Sequence, residues 1–215
     1  MKIARLTTAL AAAFLLASCI LSPGKFASTL EIRKDRSFTF TYVGEVLSED
    51  PKATDGDGKP LPVKAGPPDA DTVAQRKAIA EALAKEEGYR SVQYLGGNKF
   101  KVDYSVTGRL DRGFVYPINL DAMAIIPWVA VELRKDGTVR VKAPAFGDMS
   151  EAMGQPSMPG AGGGAEGREG TFTLTTDATL VMHNNEEGAA PGAGTRVVWK
   201  VTPTSKAVPT AVIRF

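Results

Sequence analysis

Alternation of apolar and polar residues, repeated in runs separated by turn residues, limits this chain to a fold made largely of β-hairpins. The clearest run is residues 99–110, KFKVDYSVTGRL, in which Phe100, Val102, Tyr104 and Val106 alternate with Lys, Asp and Ser. Side chains on a strand point alternately to its two faces, so such a run is buried on one side and wet on the other. Gly97-Asn98 separates it from residues 89–96, YRSVQYLG, its expected hairpin partner. In residues 29–46 Leu30 and Ile32 share one face, as do Phe38, Phe40 and Tyr42, with Lys34-Asp35-Arg36-Ser37 as the turn. A third hairpin is expected over residues 128–144, turning at Asp136-Gly137. Strand patterns resume at residues 171–185, 195–203 and 211–215. Arg-Lys-Asp opens two of these turns, at 33–35 and 134–136. So short a repeat does not establish a duplication, because turn chemistry alone selects those residues.

One helix interrupts the strands. Asp71 reads as its N-cap, residues 72–87 as its body and Gly88 as its stop, with Val73, Ala80 and Ala84 on one side and Ile79 and Leu83 adjacent. So narrow an apolar stripe suits packing on a sheet. Residues 47–70 and 145–170, rich in Gly, Pro and charge, are expected to be surface loops. Within the first, the DGDGK of residues 55–59 aligns only Asp55 and Asp57 with a calcium loop and has no glutamate at the twelfth position, so a solvated turn is the better account. The predicted fold class is α+β: an antiparallel sheet built from hairpins with one packed helix, in a single domain over residues 29–215.

The start of the chain has a different character. Lys2 and Arg5 precede an apolar run from Leu6 to Leu16, and small residues lead into Cys19, the one cysteine. A charged start, a short apolar middle and a small-residue end make a secretory signal over residues 1–18. The run is too short for a spanning helix of ~20 residues. Leu16-Ala17-Ser18-Cys19 resembles the lipobox of bacterial lipoproteins. That resemblance implies cleavage between Ser18 and Cys19, a diacylglyceryl thioether on Cys19 and further acylation, palmitate for example, of the freed amine. Ile20, where an aspartate would signal retention at the inner membrane, implies an outer-membrane lipoprotein facing the periplasm. Residues 19–28, with Pro23 and Gly24, read as a short lipidated tether. With the only thiol taken up by lipid there is no disulfide, and the core must suffice by itself.

Charge excludes little by itself, yet it argues against nucleic acid. The chain carries 26 Lys and Arg against 24 Asp and Glu, and removal of Lys2 and Arg5 makes the two equal. His183, the one histidine, sits in MHNNEE without a ligand partner at metal spacing, and reads as a strand-end histidine beside a turn. No catalytic constellation, metal site or cofactor is expected. Arg109 and Arg112, flanking Asp111, are candidates for binding a phosphate headgroup, against the plainer reading of a solvated hairpin end. Residues 114–131 are the most apolar part of the mature chain. Phe114, Tyr116, Ile125, Ile126 and Trp128 are either an apolar ligand surface or core crossing the sheet.

Residues 22–46, 88–117, 131–146 and 175–203 resemble uncharacterised lipoproteins of sphingomonad-type alphaproteobacteria, a family with no activity to carry over. More distantly, the early D-x-S hairpin, the Gly88-Tyr89 strand entry, and Asn184, Asn185, Gly194, Val197 and Trp199 resemble the LppM-type domain of mycobacterial lipoproteins. That resemblance implies binding of envelope glycolipids. A membrane helix following the LppM-type domain has no counterpart here. Two functions are therefore expected to compete: a lipid-anchored envelope protein that binds lipid or another apolar ligand, and an interaction module of an envelope protein complex. An enzyme is the least expected.

Overall fold

The two Arg-Lys-Asp turns close in the same way. Asp35 Oδ1 accepts from the Ser37 amide at 2.9 Å and hydroxyl at 2.6 Å; Asp136 Oδ1 accepts from the Thr138 amide at 3.0 Å and hydroxyl at 2.7 Å. The backbone bonds also match, Arg33 N–H to Ser37 O at 2.9 Å and Arg134 N–H to Thr138 O at 2.8 Å. The fourth residue takes a positive φ in both, 67° at Arg36 and 79° at Gly137. An aspartate that bonds two residues on, followed by a left-handed residue, is a local solution to reversing a strand. It accounts for the repeated tripeptide without shared ancestry.

The structure, a computed structural model, describes residues 20–49, 66–117, 127–148, 167–192 and 194–215. The first hairpin is β1 (Ile20–Ile32) and β2 (Ser37–Glu49), followed by helix α1 (Ala70–Leu83), β3 (Tyr89–Gly96) and β4 (Lys99–Arg109). Next come β5 (Phe114–Tyr116), β6 (Val129–Leu133), β7 (Thr138–Lys142) and a 3-10 turn (Pro144–Phe146). The chain ends with β8 (Glu169–Thr176), β9 (Thr179–His183), β10 (Ala190–Gly192), β11 (Gly194–Val201) and β12 (Thr210–Arg214). They form a seven-stranded sheet ordered β10-β11-β8-β1-β2-β4-β3 and a five-stranded sheet ordered β5-β6-β7-β12-β9. The fold is α+β, with hairpin-built sheets and one packed helix. One pair departs from the antiparallel expectation: β1 and β8 run parallel, Lys25 to Ile32 beside Glu169 to Thr176.

The core follows from the register. One row crosses the large sheet through Trp199, Phe172, Ser28, Tyr42, Tyr104 and Tyr89. Paired residues face the same side, so five rings and one serine meet the second sheet. Tyr116 reaches this row from β5, its ring 4.6 Å from Tyr104 and 5.8 Å from Tyr42. Phe146 of the 3-10 turn packs on Phe26 and Phe172, centroids 4.4 and 5.5 Å away. Tilted and offset ring pairs of this kind add ~0.5–1.5 kcal/mol each beyond their buried area. Arg168 closes the base of the 3-10 turn from within. Its guanidinium donates to the carbonyls of Ala145 at 3.0 Å, Gly147 at 2.5 Å and Ser205 at 3.1 Å, and burial lowers its pKa from the ordinary arginine value.

Several expectations need correction. The tether is strand: β1 begins at Ile20 and pairs with β2 from there on. Pro23 is tolerated because β8 joins β1 only from Lys25, so among the described residues the other side of β1 has no ladder to break at that point. Gly24-Lys25 then form a bulge opposite Glu45. The first loop is shorter than expected at both ends, since β2 runs to Glu49 and α1 starts at Ala70. The cap is Asp69, whose carboxylate accepts from Thr72 N–H at 2.7 Å, and the helix ends at Leu83. Gly88, expected as the helix stop, instead turns the chain into β3 with φ 89°, and a Cβ there would come within 2.5 Å of the Tyr104 ring. Ser18, Cys19, residues 55–59 and most of the second loop lie outside the described residues.

Candidate functional site

Phe114, Tyr116 and Trp128 are 8%, 3% and 3% exposed. Phe114 packs on Phe38 and Phe40 with centroids 4.9 and 5.3 Å apart, and Trp128 on Tyr42 at 5.2 Å. Of the two readings left open by the sequence, core describes these three residues; they line no described surface. Ile125 and Ile126 fall outside the described residues. Trp128 also donates its indole N–H to the Leu21 carbonyl at 3.3 Å, fixing the first turn of backbone in β1.

Arg109 and Arg112 are exposed, and Arg109 lies 3.8 Å from Asp111, an ion pair held in water. Arg109 sits opposite Ser37 beside the first turn, whereas Lys99, at the other end of β4, sits opposite Leu47 near the start of β1. At ~3.3 Å per residue the two ends are ~33 Å apart. Both arginines therefore lie at the end of the sheet opposite Ile20.

The exposed apolar residues lie elsewhere. β9 is an edge strand of the smaller sheet: among the described residues it pairs with β12 alone. Its register slips between Val212 and Ile213, so Val181 is an extra residue without a cross-strand partner. A bulge of this kind re-aims side chains. Val181 and Met182, adjacent in sequence, are 46% and 48% exposed. Leu180 and His183 are half-buried and continue inner-face rows of the sheet through Ile213 and Ala211. Between β9 and the β10–β11 hairpin opens a depression of about 600 Å³, lined by residues 178–183 on one side and by Ala189 and Thr195 on the other. The apolar Leu180, Val181 and Met182 thus share this depression with the small side chains of Ala189 and Thr195.

Two asparagines hold this edge in place. Asn184 Oδ1 accepts from the Trp199 indole at 3.1 Å and from the Thr210 amide at 2.9 Å, and its Nδ2 donates to Val208 O at 2.8 Å. Asn185 Nδ2 donates to Val198 O at 2.8 Å. Its backbone N–H donates to His183 Nδ1 at 3.2 Å. Among the described residues no three His, Cys, Asp or Glu side chains gather as metal ligands. The sequence showed the Asn-Asn turn and the strand, but not that the strand is an edge. That depends on which partners the other strands choose.

No protein-family model and no curated protein matches the chain. Among solved structures it is similar to the folded domain of the Mycobacterium tuberculosis LppM protein, determined by NMR. The identity is 15%, with 90% of this chain and 91% of that chain covered and a TM-score of 0.36. The likeness to sphingomonad-type lipoproteins rests on the quoted motifs alone.

Proposed function

We propose that this protein is a lipid-anchored component of the cell envelope, attached through Cys19 and facing the periplasm from the outer membrane. Its domain binds an extended segment of a protein partner along β9 and is not an enzyme. The β9 edge, which has no second strand partner among the described residues, carries this reading, with Val181 and Met182 exposed beside the depression. An added strand gains main-chain hydrogen bonds from the edge, and side-chain contacts set its specificity. The bulge at Val181 limits indiscriminate edge pairing, which an exposed strand otherwise invites. A second reading, an acyl chain or other apolar ligand in the same depression, is supported by its Leu180, Val181 and Met182 lining.

Photo-crosslinking in the producing cell separates the two. A photoreactive residue at Met182 is expected to give a protein-sized adduct that weakens when Val181 is replaced by Asp, while the same residue at Thr173, on the outer face of the large sheet, gives none. Adducts of lipid mass alone would favour the second reading, and no adduct at Met182 would end both.

A further inference from the structure

The end of the domain beside Cys19 carries exposed leucines. Leu21 is 38% exposed and Leu95 is 49% exposed. Leu21 lies opposite Ser48, and the Ser48 amide donates to Asn98 O at 2.8 Å, which brings the β3–β4 turn against the start of the first hairpin. In the strand order β1-β2-β4-β3, spacings of ~4.8 Å set the two leucines ~14 Å apart across one end of the sheet. Leu95 is the extra residue of a bulge, since Tyr94 pairs with Phe100 and Gly96 with Lys99. The tip that carries it is held firmly: Gly97 O accepts from the Tyr94 hydroxyl at 2.9 Å and from the Arg76 guanidinium of α1. Leu21 is fixed by the Trp128 indole on its carbonyl.

We infer that this end is a second membrane contact, in which Leu21 and Leu95 enter the headgroup–acyl boundary of the bilayer that holds the Cys19 lipid. The inference rests on the anchor proposed above. Cys19 itself lies outside the described residues, but its Cα is one peptide, ~3.8 Å, from that of Ile20, the first residue of β1. A strand that starts there has no slack, so acyl chains on Cys19 bring this end of the sheet to the lipid surface. Two exposed leucines on a braced end are what that surface receives favourably, and exposed apolar groups of this kind mark contact sites. The domain then stands end-on, with the turn at Arg36 and the Arg109–Asp111 pair farthest from the membrane.

The test uses the full-length protein, processed in its host and reconstituted in vesicles of phosphatidylethanolamine and phosphatidylglycerol. Once Cys19 is acylated, an introduced cysteine is the only thiol to label. Leu95→Cys and Asp111→Cys, both at exposed positions, are each tagged with an environment-sensitive fluorophore, and the intact mass of each is measured. With Cys19 acylated, the probe at 95 is expected to blue-shift and to be quenched by a spin-labelled lipid, while the probe at 111 does neither. An acylated protein whose probe at 95 stays in water, or whose two probes are quenched alike, overturns the contact and leaves the anchor standing. A mature mass without acyl chains removes the anchor, and the contact with it.

Discussion

The Trp199 indole donates its N–H to the side-chain oxygen of Asn184 at 3.1 Å, and that same oxygen accepts the Thr210 amide at 2.9 Å. Trp199 belongs to the large sheet, while Asn184 directly follows the last strand of the small one. A single acceptor thus joins the two layers beside the proposed binding edge. Replacing Asn184 with Ala leaves a mostly buried indole N–H and a backbone N–H without their partner. The expected loss is about 2–3 kcal/mol in urea unfolding. A double-mutant cycle with Trp199→Phe should show coupling; additive effects would mean that the bond contributes nothing of its own.

Ser28 is the one small residue in the aromatic row, between Phe172 and Tyr42, and it is fully buried with its hydroxyl donating to Thr41 O at 3.0 Å. Ser28→Ala loses only that bond, about 0.5–1.5 kcal/mol. Ser28→Leu adds bulk at a fully buried position between Phe172 and Tyr42 and is expected to cost about 1–3 kcal/mol. Thermal melts of both variants check the order; a Leu variant as stable as wild type would mean unfilled space beside the row.

Tyrosine ionisation should limit stability at high pH. Burial, then the neighbouring Tyr104 and Glu86, pushes Tyr89 up to about 12; burial raises Tyr42 and Tyr116 well above the ordinary value. The folded state holds these protons more tightly than the unfolded chain, whose tyrosines titrate near ~10. Their contribution is therefore complete below pH ~10 and is lost as pH rises through the folded-state values. Absorbance at 295 nm should show part of the tyrosine signal appearing only with unfolding. Full ionisation of a folded protein near pH ~10 would contradict the packing.

The matched turns make a local prediction. Gly137→Ala forces a side chain into a left-handed position and should cost about 1 kcal/mol. Arg36→Gly relieves the same strain in the first turn and also loses the guanidinium 5.2 Å from the Phe215 ring centroid, so the net change should be small. Hydrogen bonds from Ser37 and Thr138 hold the Asp35 and Asp136 carboxyls below the usual range. Their support is present above the ordinary aspartate pKa and fades as pH falls through the lowered values. Asp136→Ala should flatten part of that acid limb in pH-dependent melts.

What was legible in the sequence was local. Phe38, Phe40 and Tyr42 alternate with polar residues, and all three are buried as that pattern demands. Turn aspartates and glycines placed the hairpins. The start of β1 was hidden because Pro23-Gly24 punctuates like a linker, and only the absence of β8 beside Pro23 makes it harmless there. Asp69 and Asp71 are equivalent caps by composition, and Thr72 N–H selects the one three residues back. The fate of Phe114, Tyr116 and Trp128 turned on whether another sheet covered them. The openness of β9 turned on its having one neighbour. Both are properties of long-range pairing, which no window of sequence contains.

The parallel β1–β8 pair orders the events of folding. Hairpins such as β1–β2 and β3–β4 pair residues close in sequence and can form early. The middle of the large sheet cannot close until residues 169–176 arrive, and the Lys34 amide bonds to Asp177 across 143 positions of chain. Closing so long a loop is slow, because its entropy is spent before the contact repays it. In a chain exported N-terminus first, as the proposed anchor requires, β1 would wait with one edge bare until β8 followed. A lipid that pins that strand to the bilayer early would hold each waiting edge at a fixed height and apart from those of other unfinished chains.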